Sequence, residues 1–196
     1  MTVEAASRFF AFLSLLCVGG TVAIAVGAVA LRLAGGPPWL VRVRDDLGRA
    51  ALGVAAAIAV VATLGSLYYS EVQGFVPCEL CWIQRICMYP LAVLLTIAAV
   101  RGDVGIRTYA WPLCLVGTGF ASYHTWLQAF PEGSSGFCTL EAPCTVRHVW
   151  ELGFVSLPFM ALSAFVAIAT LLAVARPPAP EVDLDDPGAD LEEIPA

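Results

Sequence analysis

In "FVPCELCWIQR", residues 75–85, two cysteines stand three apart and an arginine follows the second by four. Cys78 and Cys81 can cycle between dithiol and disulfide, and the thiolate is the reactive form. Pro77 breaks the chain just before them, so a helix is expected to begin near Cys78. Cys81 then falls in the first turn, where free N–H groups and the helix dipole favour an anion. Arg85 lies one turn further on the same face and stays protonated at any working pH. It could offset a Cys81 thiolate and an oxygen anion on a bound ligand; the plain alternative is a side chain that snorkels to a membrane interface. A second pair, Cys138 and Cys144, lies six residues apart further along the chain.

The elements that must position these residues are membrane helices. The chain of 196 residues is 59% hydrophobic and 13% charged, and its ten basic residues are all arginine. An ordinary soluble domain carries about 25% charged residues, so the composition indicates an integral membrane protein. The net charge of −6 comes from the end of the chain, where seven acidic residues lie in the last sixteen positions. The remainder is nearly balanced and offers no basic patch for nucleic acid. Five apolar stretches approach the roughly 20 residues that span a bilayer: 9–31, 50–69, 82–100, 109–127 and 152–175. "AGGPP", "RGDVG" and "PEGSSG" punctuate them.

Arginine placement sets the expected orientation. Arg32, Arg42, Arg44 and Arg49 join the first two stretches, Arg101 and Arg107 join the third and fourth, and Arg176 follows the fifth. Those segments are expected in the cytoplasm, with the N-terminus outside and the C-terminus inside. The 71–81 and 128–151 loops, with all four paired cysteines, then face outward. Trp82, Trp126 and Trp150 suit the outer interface, Trp39 and Trp111 the inner. "AVA" at 28–30 resembles a cleavage site, but the first stretch is too long for a signal peptide and is expected to be retained. The tail from Arg176 is Pro-rich and acidic and reads as disordered.

Cys17, Cys87 and Cys114 stand alone in apolar runs and read as small hydrophobes. For the other four cysteines three arrangements compete: two structural disulfides, a zinc site of four thiolates, or a dithiol relay. So short a loop as C-x-x-C gives a structural disulfide little chain entropy to remove. No histidine completes a tighter zinc set. The helix start and Arg85 favour the relay. Its electrons need an acceptor, and there is no G-x-G-x-x-G for a dinucleotide and no C-x-x-C-H for haem. A lipid-soluble quinone remains by elimination. Glu79 reads as a solvated spacer, His148 as a loop residue, and Tyr89–Pro90 as a kink.

"PCELCWIQRICMYP" at 77–90, "YHTWLQ" at 123–128 and "CTLEAPCTVRHVWELGFVSLPFMALSAF" at 138–165 together resemble the DsbB/BdbC family of membrane thiol–quinone oxidoreductases that make disulfides. The short second loop is similar to the Bacillus-type branch. The resemblance implies an all-α integral membrane protein of a bacterial plasma membrane. Residues 50–175 would form a four-helix bundle, 1–49 an extra transmembrane helix with a cytoplasmic linker, and 176–196 a cytoplasmic tail. It implies a quinone, ubiquinone or menaquinone, near Cys81, Arg85 and His124. It implies a DsbA-like thioredoxin-fold partner that attacks a Cys138–Cys144 disulfide at Cys138, after which Cys144 attacks Cys78 and frees Cys81. If the partner is as oxidising as DsbA, at about −120 mV, quinone reduction must drive the cycle. A vitamin-K-epoxide-reductase-like enzyme is the alternative, but there the loop pair precedes the C-x-x-C. A non-enzymatic scaffold would keep all four cysteines oxidised.

Overall fold

The computed structural model of the chain describes residues 2–34, 37–131, 138 and 142–177. The acidic tail from 178 onward, and with it the expectation of disorder there, lies outside the described residues. Five helices run in order: α1 (Val3–Ala34), α2 (Pro38–Leu67), α3 (Glu79–Arg101), α4 (Arg107–Ala129) and α5 (Leu157–Val174). Four of them, α1, α2, α3 and α5, are long and apolar enough to cross a membrane. The fourth apolar stretch forms α4, which has 23 residues, as α3 does. It is more polar, and its His124 and Gln128 turn inward and are buried.

Two boundaries differ from the sequence reading. Residues 38–49, expected as a linker, are the first turns of α2. Pro38 sits in the first turn, where its missing N–H costs nothing, and Arg49–Asp46 and Arg44–Asp45 pairs line the helix surface. The last stretch begins its helix at Leu157 rather than Leu152. Leu152 and Gly153 take positive φ of 53° and 79°, closing a turn bridged between Glu151 and Val155. At its other end α2 widens into a π-helical turn, Tyr68–Val72. α3 runs unbroken through Pro90. It stops at Gly102, whose φ of 65° is the left-handed cap that glycine adopts without strain.

α2, α3, α4 and α5 pack in a ring, each against the next, and α1 lies outside, chiefly against α5. Without a strong hydrophobic drive between helices in lipid, close approach depends on small residues. Ala51, Ala55, Ala56 and Ala59 of α2 are buried against Leu91 and Leu95 of α3, while α5 contributes Phe165, Ile168 and Leu172. Phe165 lies over Gly117 of α4 so tightly that a Cβ there would stand 2.4 Å from the ring.

The two ends of the bundle carry different chemistry. At one end the Arg176 N–H donates to the Gly48 carbonyl at 2.8 Å, and its guanidinium pairs with Asp45 at 2.7 Å. At the other, Ser7 and Tyr69 share a buried hydrogen bond of 3.1 Å, and Phe10 rests on Gly65. The start of α1 therefore lies beside the segment that leads to Cys78.

Candidate functional site

Cys78 is the N-cap of α3, with extended backbone, and Cys81 lies in the first turn. Three residues of that geometry bring the two sulfurs to 2.9 Å, as thiols. Cys138 and Cys144 form a disulfide with Cα atoms 5.9 Å apart. All four pack into one cluster with Leu80 and Leu127. Within it Cys144 is 3% exposed and Cys138 is the more accessible sulfur. A four-thiolate zinc set is not assembled, because Cys138 and Cys144 are bonded to each other.

His124 joins the two pairs. Its Nε2 lies 3.1 Å from the Cys144 carbonyl oxygen and 3.8 Å from the Cys78 sulfur. The Gln84 amide, one turn along α3 from Cys81, meets Nδ1 at 3.2 Å. With Gln84 donating to Nδ1, Nε2 carries the proton and donates towards Cys144 and Cys78. Cys78 is held well below the ordinary thiol range. The hydrogen bond from the Cys81 thiol is the chief cause, and burial opposes it before the His124 ring lowers it further. The sequence reading expects the stabilised thiolate at Cys81; here the Cys78 sulfur faces both the Cys81 sulfur and His124 Nε2. Cys78, Cys81 and His124 hold their ligand atoms within 4.8 Å of one another.

Arg85 stands on the other flank. Its Nε donates to the Ser66 hydroxyl at 2.9 Å and an Nη to the Ser66 carbonyl at 3.0 Å. Its guanidinium lies 5.2 Å from the Trp82 ring centroid. The Tyr89 hydroxyl reaches Ser66 at 3.4 Å, so Tyr89 belongs to this group rather than to a kink. Arg85, Ser66, Tyr89 and Cys81 share the wall of a cavity of about 690 Å³ between α1, α2, α3 and α5. A smaller cavity beside it is lined by Cys78, Cys81, His124 and Cys144. The family resemblance groups His124 with Arg85; here Arg85 lines the large cavity and His124 the smaller one, and Phe75, Val76, Cys81, His148, Leu157 and Pro158 line both.

Contacts not evident from the sequence fix the loops. Phe75 stacks between Tyr69 and His148, at 5.8 and 4.7 Å, and so ties one cysteine loop to the other. His148 is thus more than a loop residue. Arg147 donates to the Gln128 carbonyl at 2.9 Å and lies 4.0 Å over Trp150, while Gln128 donates to the Val146 carbonyl at 2.9 Å. Cys87 and Cys114 are buried in the apolar core, as expected; Cys17 lines the large cavity.

A helical membrane bundle that sets a dithiol against a disulfide in one buried cluster defines a membrane thiol–disulfide oxidoreductase. Comparison with known proteins agrees: residues 48–175 match the family model described as disulfide bond formation protein DsbB, and the chain belongs to that family. It is 40% identical over 121 residues to disulfide bond formation protein C of Bacillus subtilis, covering 61% of this chain and 87% of that one. Probable disulfide formation proteins of Chlamydia trachomatis and Deinococcus radiodurans are 44% and 42% identical over 115 and 131 residues. Those matches cover 59% and 61% of this chain and 84% of each relative. No solved structure matches.

Proposed function

We propose that the chain reoxidises a DsbA-like thioredoxin-fold thiol oxidase through its two cysteine pairs and passes the electrons to a membrane quinone. The observation that carries this is the order of the sulfurs. Cys138 is the accessible member of its pair, Cys144 is buried beside Cys78 and His124, and Cys81 opens on the large cavity.

The cycle starts with Cys78–Cys81 as a disulfide. A partner thiolate attacks Cys138; the Cys138–Cys144 bond breaks and Cys144 leaves as thiolate. Cys144 attacks Cys78, breaking Cys78–Cys81 and releasing Cys81. The partner's second thiolate closes its own disulfide and displaces Cys138. Cys138 then attacks Cys144, re-forming the loop disulfide and leaving Cys78 and Cys81 reduced. Two electrons have passed from partner to dithiol. His124 donates towards the sulfur of Cys78, and the Cys78–Cys81 disulfide would re-form only as the dithiol gives up two electrons and its protons to a bound acceptor.

The cavity fits a quinone: it is mostly apolar, with Ser66, Arg85 and Tyr89 grouped beside Cys81. A bound quinone supplies a two-electron, two-proton sink. Arg85, held by Ser66, is the cation that offsets negative charge next to hydrocarbon, where an uncompensated anion is costly. The test is quinone reduction by the purified protein, driven by a reduced thioredoxin-fold partner. Absence of quinone reduction while the partner still exchanges with Cys138 removes the acceptor from this reading.

The orientation follows from the arginines and from the Ser7–Tyr69 contact, which puts the start of α1 at the cysteine end. All five helices then cross a plasma membrane, with the cysteine loops and the N-terminus outside and the C-terminus in the cytoplasm. Reporter fusions at residues 5 and 185 should read outside and inside; a cytoplasmic signal at residue 5 refutes this topology.

A further inference from the structure

α1 precedes the family-matched residues 48–175 and is an addition to the bundle they form. It is nonetheless part of the large cavity. Leu13, Leu16, Cys17, Gly20 and Ile24 of α1 form one wall, facing α2 and α5. Along α2 the cavity is lined from Leu47 to Ser66, which at 1.5 Å per residue is about 29 Å. That matches the roughly 30 Å of a bilayer's hydrocarbon core. The shape is therefore a slot rather than a compact pocket. Cys81, Gln84, Arg85 and Tyr89 stand at one end of it, and apolar side chains dominate the remainder. At that end α1 is latched by the Ser7–Tyr69 hydrogen bond and by the Phe10 ring on Gly65.

We propose that α1 roofs this slot over the isoprenoid tail of the membrane quinone, and so makes acceptor affinity depend on the tail. The inference rests on the quinone reading above. Its physical basis is the match between a small polar end, where the redox sulfur lies, and a long apolar channel. An amphiphile with a compact polar ring and an extended hydrocarbon chain has that form. Without α1, the tail would lie against bilayer lipid, which competes with it on equal terms. With α1, the tail is enclosed by protein on three helices and its ring is registered at Cys81.

Two glycines provide the test. A Cβ at Gly20 of α1 or at Gly53 of α2 meets nothing within 4 Å, and both residues line the slot from different helices. Gly20→Phe and Gly53→Phe therefore fill it without a backbone clash. Gly19, equally open, is not on the slot, and Gly19→Phe is the control. The full-length chain, in lipid nanodiscs with reduced partner, is assayed with a long-tailed isoprenoid quinone and with the tail-less quinone of the same ring. Gly20→Phe and Gly53→Phe should raise KM for the tailed acceptor by roughly tenfold, about 1.4 kcal/mol of binding, and not for the tail-less one. Gly19→Phe should change neither. An unchanged KM for the tailed acceptor in both slot variants overturns the proposal. So does an equal rise in Gly19→Phe, which would assign the effect to packing against lipid. A wild-type chain that reduces neither quinone overturns the acceptor reading, and this inference with it.

Discussion

Arg85 is held by two hydrogen bonds to one residue, which lets its position and its charge be perturbed separately. Arg85→Leu removes the cation. Hydrogen bonds to a charged group are worth about 1.5–3 kcal/mol, and each 1.36 kcal/mol of barrier is tenfold in rate. Quinone reduction should therefore slow by about 10- to 100-fold. Ser66→Ala keeps the cation and the carbonyl contact at 3.0 Å but removes the hydroxyl contact at 2.9 Å. Loss of one such bond, at the low end of that range because the carbonyl contact remains, costs about 1.5 kcal/mol, so the slowing should be about tenfold. Arg85→Lys keeps the charge without the planar fork and should fall between wild type and Arg85→Leu. Two rates are measured on each variant: quinone reduction at saturating partner, and formation of the partner–Cys138 mixed disulfide in a rapid acid quench. The second should not change, because Cys138 lies in the other cysteine loop. Wild-type quinone reduction in Arg85→Leu would make Arg85 an interface anchor. Equal slowing of both rates would make it a structural residue.

Cys144→Ala should accumulate a mixed disulfide between Cys138 and the partner on non-reducing gels, since the thiol that moves the electrons on is gone; accumulation in Cys138→Ala instead reverses the two roles. The Cys78 thiolate should persist as pH falls well below the ordinary thiol value of about 8.5, read as the difference in thiolate absorbance between the reduced protein and Cys78→Ser; loss near that ordinary value refutes the hydrogen-bond network described. Gly117→Ala pushes a methyl into the Phe165 ring and should cost about 1–3 kcal/mol. Thermal unfolding in detergent should show it as a midpoint lowered by about 2–4 °C per kcal/mol, and an unchanged midpoint would mean that α4 and α5 separate freely.

What the sequence revealed was local. Cys78, Cys81 and Arg85 share one helix start, so spacing alone relates them. The apolar runs located the helices to within a few residues, except where a polar helix continued one of them. Residues 38–49 carry arginines and aspartates and read as a linker, yet those charges pair along a helix surface and with Arg176, 131 residues away from Asp45. The site's other determinants are pairings between helices. Gln84 meets His124 from 40 residues away, and Ser66 meets Arg85 from 19. Periodicity carries no record of such partners. A glutamine inside an apolar stretch was the one available signal, because burial without a partner costs several kcal/mol and a partner had to exist. His148 was missed because its role is a ring stack on Phe75 across two loops.

The placement of the dithiol at a helix start accounts for both its reach and its asymmetry. An N-cap and a first-turn residue are close enough for their sulfurs to bond, but of the two only Cys81 lines the slot. Cys78 turns to His124 and the loop disulfide; Cys81 lines the slot with Arg85 and borders the smaller cavity as well. Each sulfur can then be tuned by a different neighbour, on α4 in one case and α2 in the other. That separation matters for a relay. Were both sulfurs to face the disulfide, the electrons would have no route outward. Were both to face the slot, the loop pair could not reach them. Helix geometry keeps Cys78 off the slot and puts Cys81 on it, and the rest of the bundle supplies the hydrogen bonds that make the two sulfurs chemically different.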